Sequence, residues 1–394
     1  MPAKFIPPLL IADHVKILRR IGKRQPMELL DLPEMEDERL RSAMKFMGAV
    51  AKAAYQIRPE LCVSICARIV DISLRRGYTP ETAIGYLAYG VIFRGGVRGD
   101  HAAGYQFSRL VLALIERFDN HQQRAEVTFV SGYFANSWIQ GLAESEELFR
   151  RAYRAGIETG DNFHASCACS GIVQNMLMRG ADLDDVLNES ERFGEFLNRV
   201  QTTENVGTML AIQQTIRNLR GQTASERSFS DESFDEQAFV ATLASYGSPH
   251  LAHYYFVDKM LSQVLWDRLD EAGAVLDQSK RYLKESPGMQ HAAEHHFLSG
   301  LIHARLADTA SGRVRRRHVR AVKRAARRHR KWATDAPATF AHKHRLLEAE
   351  QNRLLGYNET AAARYDEAIE LAERHGYQNT QSIAHERAGR FHLT

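Results

Sequence analysis

Apolar residues recur along this chain at spacings of three and four, and glycine or proline interrupts them at regular intervals. Residues three and four apart share one side of an α-helix, so the pattern predicts amphipathic helices. Alternating, strand-like runs are few. The pattern is sharpest at the end of the chain, in GYNETAAARYDEAIELAERHGYQNTQSIAHERAGRFHL. There Ala361, Tyr365, Ala368, Ile369 and Ala372 fall on one face, Gly376 and Tyr377 mark a corner, and Ile383, Ala384, Ala388 and Phe391 open the next helix. Small residues at such crossings let two helices lie close together. This is the grammar of tetratricopeptide-like repeats, with a period of roughly 34 residues.

The same reading predicts helices over 38–57, 59–76, 80–95, 101–118, 123–139, 143–159, 161–179 and 182–200. A second series is predicted near 238–246, 248–265, 267–284, 288–307, 312–333, 337–356, 359–375 and 379–392. In the stretch at 267–283, Leu269, Ala272, Ala274, Val275 and Tyr282 fall on related faces. Residues 1–37 read as a lead-in with a short helix near Leu29. Residues 219–237, rich in Ser, Glu and Asp, read as a polar loop or linker between an N-terminal half (38–218) and a tetratricopeptide-like C-terminal half (238–394). Gly99 with Asp100, and Gly160 with Asp161, end one helix and cap the next, because a carboxylate there satisfies free backbone N–H groups and opposes the helix dipole. The Arg98-Gly99-Asp100 triplet falls on such a corner and is read as structural.

Composition changes this picture little. Hydrophobic residues at 44% and charged residues at 25% are ordinary for a globular protein. No apolar run approaches the ~18 residues of a membrane span. Pro7 and Pro8 break the one apolar run near the start, which lacks the order of a signal peptide. Four cysteines form no disulfide framework, so a reducing, cytoplasmic setting is expected. Charge changes it more. Residues 313–331 hold eleven Lys or Arg and no acid, and the rest of the chain has 41 basic against 48 acidic residues. The protein therefore reads as mildly acidic with one dense basic helix.

Several stretches resemble the long helical region of a family of large bacterial signalling proteins. They are LLDLPEM at 29–35, AIGYLAYGVIFRGGVRGDHAAGYQFSRLVLALIERF at 83–118 and GYFANSW at 132–138. LFRRAYRAGIETGDNFHASCAC at 148–169, RRRHVRAVKRAARRHRKWA at 315–333 and the closing segment follow in the same order. Those proteins join a serine/threonine kinase domain, an AAA-type (STAND-like) ATPase, this helical region, and often GAF and histidine-kinase domains. The resemblance implies a tetratricopeptide-like regulatory module beside an ATPase. It carries no ATPase or kinase activity onto this chain, which contains no GxxxxGK[ST] phosphate loop, no HRD or DFG signature and no histidine-kinase ATP-binding motif.

The sharpest enzyme-like string is His291-Ala-Ala-Glu294-His295, followed by His296. Two histidines one helical turn apart, with a carboxylate between them, are a zinc-protease pattern in which Glu serves as general base. Short strings of this kind arise by chance in a chain with 17 histidines, and no third ligand motif follows. His164, Cys167 and Cys169 offer donors, but Cys167 and Cys169 point about 200° apart on a helix of 3.6 residues per turn. Cys62 and Cys66 read as buried thiols, and Trp138 and Trp332 as hairpin anchors. In the basic helix, Arg316, Arg320, Arg324, Arg327 and Arg328 include i,i+4 rows, and Val319, Val322 and Ala326 form a packing stripe. A solvated face and a dock for an acidic protein are both open readings. Base-reading polar residues and interleaved aromatics are lacking, which argues against nucleic acid.

The expectation is an all-α, tetratricopeptide-like helical-hairpin superhelix (α-solenoid). Its role is non-catalytic, regulatory or scaffolding. No cofactor is expected. Its partner is a protein or peptide, with an ATPase or kinase domain as the candidate the resemblance suggests. The alternatives are a metal-dependent hydrolase using His291, Glu294 and His295, and a nucleic-acid sensor using residues 313–331.

Overall fold

The computed structural model describes residues 8–245 and 248–393. Expectations for residues 1–7 and for the Leu269 side chain lie outside the described residues. Among the described residues there are 18 α-helices and no strand. Helices pack on their neighbours in sequence, so the fold is an all-α stack of helical hairpins. Contacts divide the chain into two compact units.

The first unit takes in Met1–Ile139, Glu144–Ala168 and Pro287–Met289. It contains α1 (Pro8–Ile21), α2 (Glu38–Ile57), α3 (Pro59–Arg76), α4 (Thr82–Tyr86), α5 (His101–Arg117) and α6 (His121–Phe134). Most of α7 (Leu142–Thr159) and the start of α8 (Asn162–Arg179) also belong here. Asp37 caps α2, accepting from the N–H groups of Arg39 and Leu40, a contact worth about 1 kcal/mol. Asp100 accepts from the N–H of Ala103 at the start of α5 and takes the Arg94 guanidinium at 2.5 Å. Asp161 accepts from the His164 N–H at 3.1 Å. Both aspartates therefore do the capping work the corners imply.

The predicted helix at 80–95 is α4 followed by an 11-residue π-helix, Leu87–Val97. π-helices are usually single turns. This one is held by close packing on α5. A Cβ on Gly90 would lie 2.3 Å from the Phe107 ring, and one on Gly95 would lie 2.9 Å from the Gly104 backbone. Phe107, Tyr86 and Tyr89 are buried in the core of this unit.

The second unit takes in Gln140–Ala143, Cys169–Ser286 and Gln290–Thr394. Its helices include α9 (Leu183–Val200), α10 (Thr203–Leu219), α11 (Glu236–Ser245), α12 (Pro249–Leu265) and α13 (Leu269–Tyr282). They continue through α14 (Gln290–Thr309), α15 (Gly312–Asp335), α16 (Pro337–Leu355), α17 (Asn358–Arg374) and α18 (Gln378–Leu393). From α12 onward each helix packs on the next, and α12, α14, α16 and α18 also pack in series. Two layers of antiparallel helices result, the arrangement of tetratricopeptide hairpins.

Small residues set the crossings. A Cβ on Gly300 of α14 would meet Leu347 of α16 at 2.4 Å and Ala325 of α15 at 3.0 Å. The predicted face of α17 is the buried one: Ala361, Tyr365, Ala368 and Ala372 are shielded from solvent and Ile369 is partly so. The segment 220–235 is free of helix. The sequence reading put a domain boundary there, but contacts place it inside the second unit. Its polar residues fold it onto that unit. The Asn218 amide donates to Thr223 Oγ1 and to the carbonyls of Ser225 and Ser228, and Phe229 is buried against Tyr255.

Candidate functional site

Helix α15 is amphipathic in an unusual way. Its inner stripe is Ala321, Val322, Ala325, Ala326 and His329, all buried, with Val319 partly so. Alanine and valine carry no flexible stem, so this stripe fixes the helix without involving its charges. The outward side is dominated by cations, with Val314 an exposed apolar exception. Arg316, Arg320, Arg324 and Arg327 are exposed, and none of the eleven cations between Arg313 and Lys331 pairs with a described acidic residue. At 1.5 Å per residue the row runs about 27 Å. Among the described residues no carboxylate forms an ion pair with this row.

Two of the eleven are used internally. Arg315 donates to the Leu354 carbonyl at 2.9 Å. Arg328 was expected on the open face, but its guanidinium leans onto the His296 imidazole of α14. Burial pulls the Arg328 pKa below its ordinary value, followed by repulsion from Arg327. The structure thus brings Arg316, Arg320, Arg324 and Arg327 together as one solvent face and sets Arg328 against α14.

The His291-Ala-Ala-Glu294-His295 string forms no open metal centre. All three chemistry-bearing residues are buried. The Glu294 carboxylate is committed to the Lys343 ammonium of α16, itself lying over the Phe297 and Tyr377 rings at 5.4 and 5.7 Å. His295 Nδ1 shares a hydrogen bond with Ser279 Oγ at 2.7 Å. The His291 ring packs on Tyr254 at 3.9 Å and on His253 at 4.7 Å. Among the described residues, no three or more His, Cys, Asp or Glu side chains are placed to hold a metal. Glu294 therefore serves here as the partner of a buried lysine and faces no open site.

These residues form instead a buried polar core that sequence reasoning did not foresee. His253 Nδ1 and Ser286 Oγ lie 2.8 Å apart. The Gln174 amide donates to Asp258 at 2.9 Å. Burial, with Glu294 adding repulsion, pushes the Asp258 carboxyl up to about 7. Burial also drives His253 down to about 3, His295 to about 4 and His329 to about 3. One signal was available: thirteen of the 17 histidines lie beyond residue 249, within helices otherwise rich in apolar residues.

The remaining candidates are packing residues. Trp138 stacks on His101 with ring centroids 4.1 Å apart and donates to the Gly288 carbonyl at 2.8 Å. Trp332 packs near His329 and Phe340. Cys62, Cys66 and Cys169 are buried thiols, Cys167 is half-buried, and none forms a disulfide. No described helix is long and apolar enough to cross a membrane.

No known family model matches the chain, and no curated protein matches it. Among solved structures it is similar to a circular tandem repeat protein with novel repeat topology and enhanced subunit contact surfaces. The overlap covers 97% of this chain and 95% of that one at 13% identity, with a TM-score of 0.22. A likeness that low carries no argument.

Proposed function

We propose that the chain is a non-catalytic regulatory or scaffolding module that docks an acidic protein or peptide segment along the outer face of α15. The observation that carries this reading is the unpaired cationic row on a helix whose packing does not need it. Exposed like charges repel each other and add nothing to folding, whereas a complementary partner gains from them in orientation and association rate. The ordered resemblance of the sequence to signalling ATPases supports a kinase or ATPase domain as the partner and a signalling system as the setting.

The test is a fluorescence-anisotropy titration of the full chain against a labelled Asp- and Glu-rich peptide, with duplex DNA and anionic vesicles in parallel. The reading expects saturable peptide binding that weakens with salt, and weaker binding of the other two. No peptide binding at low salt, or a clear preference for DNA or vesicles, would overturn it.

A further inference from the structure

The inner edge of the cationic row meets a pair of histidines. His303 of α14 and His318 of α15 face each other with their Nδ1 atoms 3.0 Å apart and their rings 5.1 Å apart between centroids. A hydrogen bond between two imidazole nitrogens needs one N–H and one lone pair. The neutral pair has these when the two rings take opposite tautomers. A pair carrying one extra proton has them as well, and its bond is then charge-assisted and stronger. The pair can therefore hold an additional proton without any change in geometry.

The surroundings keep that proton out. Lys280 faces the pair from α13, and Arg317 and Arg324 face it from α15 itself. The acid on this side is Asp277 of α13, already bonded to Lys280 at 2.9 Å. On the other faces of α14, His253 and Asp258 of α12 and Lys343 of α16 look toward His291, Glu294 and His295. Arg353 of α16 is occupied by Asp308 and Glu350. Burial comes first, the His318 ring second and these cations after it in holding His303 down, to about 4; His318 is held down by burial and then by Arg317 and Lys280. At neutral pH the pair is uncharged.

We propose that an acidic polypeptide segment bound along α15 places a carboxylate against Lys280, Arg317 and Arg324, so that the His303–His318 pair takes up a proton as the partner binds. The inference rests on the docking function proposed above and gives it a regulation. A carboxylate among the cations offsets their share of the exclusion and adds a stabilising negative charge of its own, and it accepts hydrogen bonds from the outer nitrogens of the protonated pair. Binding and protonation are then linked, and each strengthens the other. The partner is held more tightly in a more acidic medium.

The experiment is isothermal titration calorimetry of the full chain with a Glu peptide of about ten residues, long enough to span the row when extended at 3.3–3.6 Å per residue. It is run near pH 7 in two buffers of different ionisation enthalpy, and again from pH 6 to pH 8. The expected result is a buffer-dependent enthalpy reporting net proton uptake, with Kd weakening by up to about tenfold per pH unit. His303→Gln should abolish both the uptake and the pH dependence, with circular dichroism confirming native helicity. Binding with equal enthalpies in the two buffers would overturn this proposal and leave the docking reading standing. Undiminished uptake in the helical His303→Gln chain would also overturn it, because the proton would then sit elsewhere. Absence of peptide binding in every buffer would remove both.

Discussion

The Glu294–Lys343 pair is the most consequential contact for stability at the residue scale, because both groups are nearly inaccessible to solvent. A buried ion pair contributes little net stability, but removing one partner strands a charge and costs about 3–5 kcal/mol. Lys343→Met should cost that much in a urea titration, and adding Glu294→Gln should recover much of it. Equal losses for the single and double variants would show that the two groups do not act as a pair. Asp258 and the histidines set the pH dependence. A carboxyl raised from 3.8 to about 7 destabilises the fold above that range, fully so above pH 7, and the cost disappears below about 4. Asp258→Asn keeps an acceptor for Gln174 and should raise stability at pH 8 by on the order of 4 kcal/mol, fading toward pH 4. The histidines run the other way. His253, His295 and His329 have folded pKa values depressed from 6.5 to about 3 or 4. Their contribution is intact above pH 6.5 and is lost as pH falls through 6 toward 4, when the unfolded chain binds protons that the fold excludes. Thermal melts should show Tm falling steeply over that window, and a flat profile would contradict the buried, neutral assignment.

At the scale of elements, the helix ends separate two kinds of glycine. Gly356 ends α16 with φ +80° in open space, whereas Gly180 follows α8 with φ +78° and would place a Cβ 2.4 Å from the Asn379 backbone nitrogen. Gly356→Ala should cost the 1–2 kcal/mol of a left-handed non-glycine residue. Gly180→Ala should cost clearly more, because backbone cannot yield as a side-chain tip does. Chemical denaturation of the two variants checks this, and equal costs would refute the close approach. The elements also show what the sequence could reveal. Most helices were legible because glycine or proline bounds them and one face is cleanly apolar, as in α17. Helix α10 was not foreseen, because it buries Thr208, Gln214, Thr215 and Asn218 among its apolar residues and so blurs the period. The π-helix was read as an ordinary helix, because an apolar run with three internal glycines carries no mark of its hydrogen-bond register. The cationic face of α15 was legible as charge. The histidine core was not, because polarity alone reads Lys343 or His329 as surface, and their burial depends on partners up to 49 residues away.

Across the whole molecule the decisive asymmetry is electrostatic. The basic row sits on one helix while the rest of the chain carries more acids than bases. Each unit has its own core, and neither core includes the outward cations of α15. Packing therefore does not rest on these cations, and the proposed recognition would respond to mutation separately from the fold. Replacing Arg316, Arg320, Arg324 and Arg327 by Glu touches no buried contact. It inserts acids beside the remaining cations of the helix, where i,i+4 pairs of opposite charge contribute about 0.2–0.5 kcal/mol each.

The measurement that tests the central claim most directly follows Tm and acidic-peptide affinity together in this fourfold charge-reversed chain. The account predicts a Tm within a few degrees of the parent and loss of peptide binding at all salt concentrations. A reversed chain that still binds the peptide with the parent affinity would contradict it.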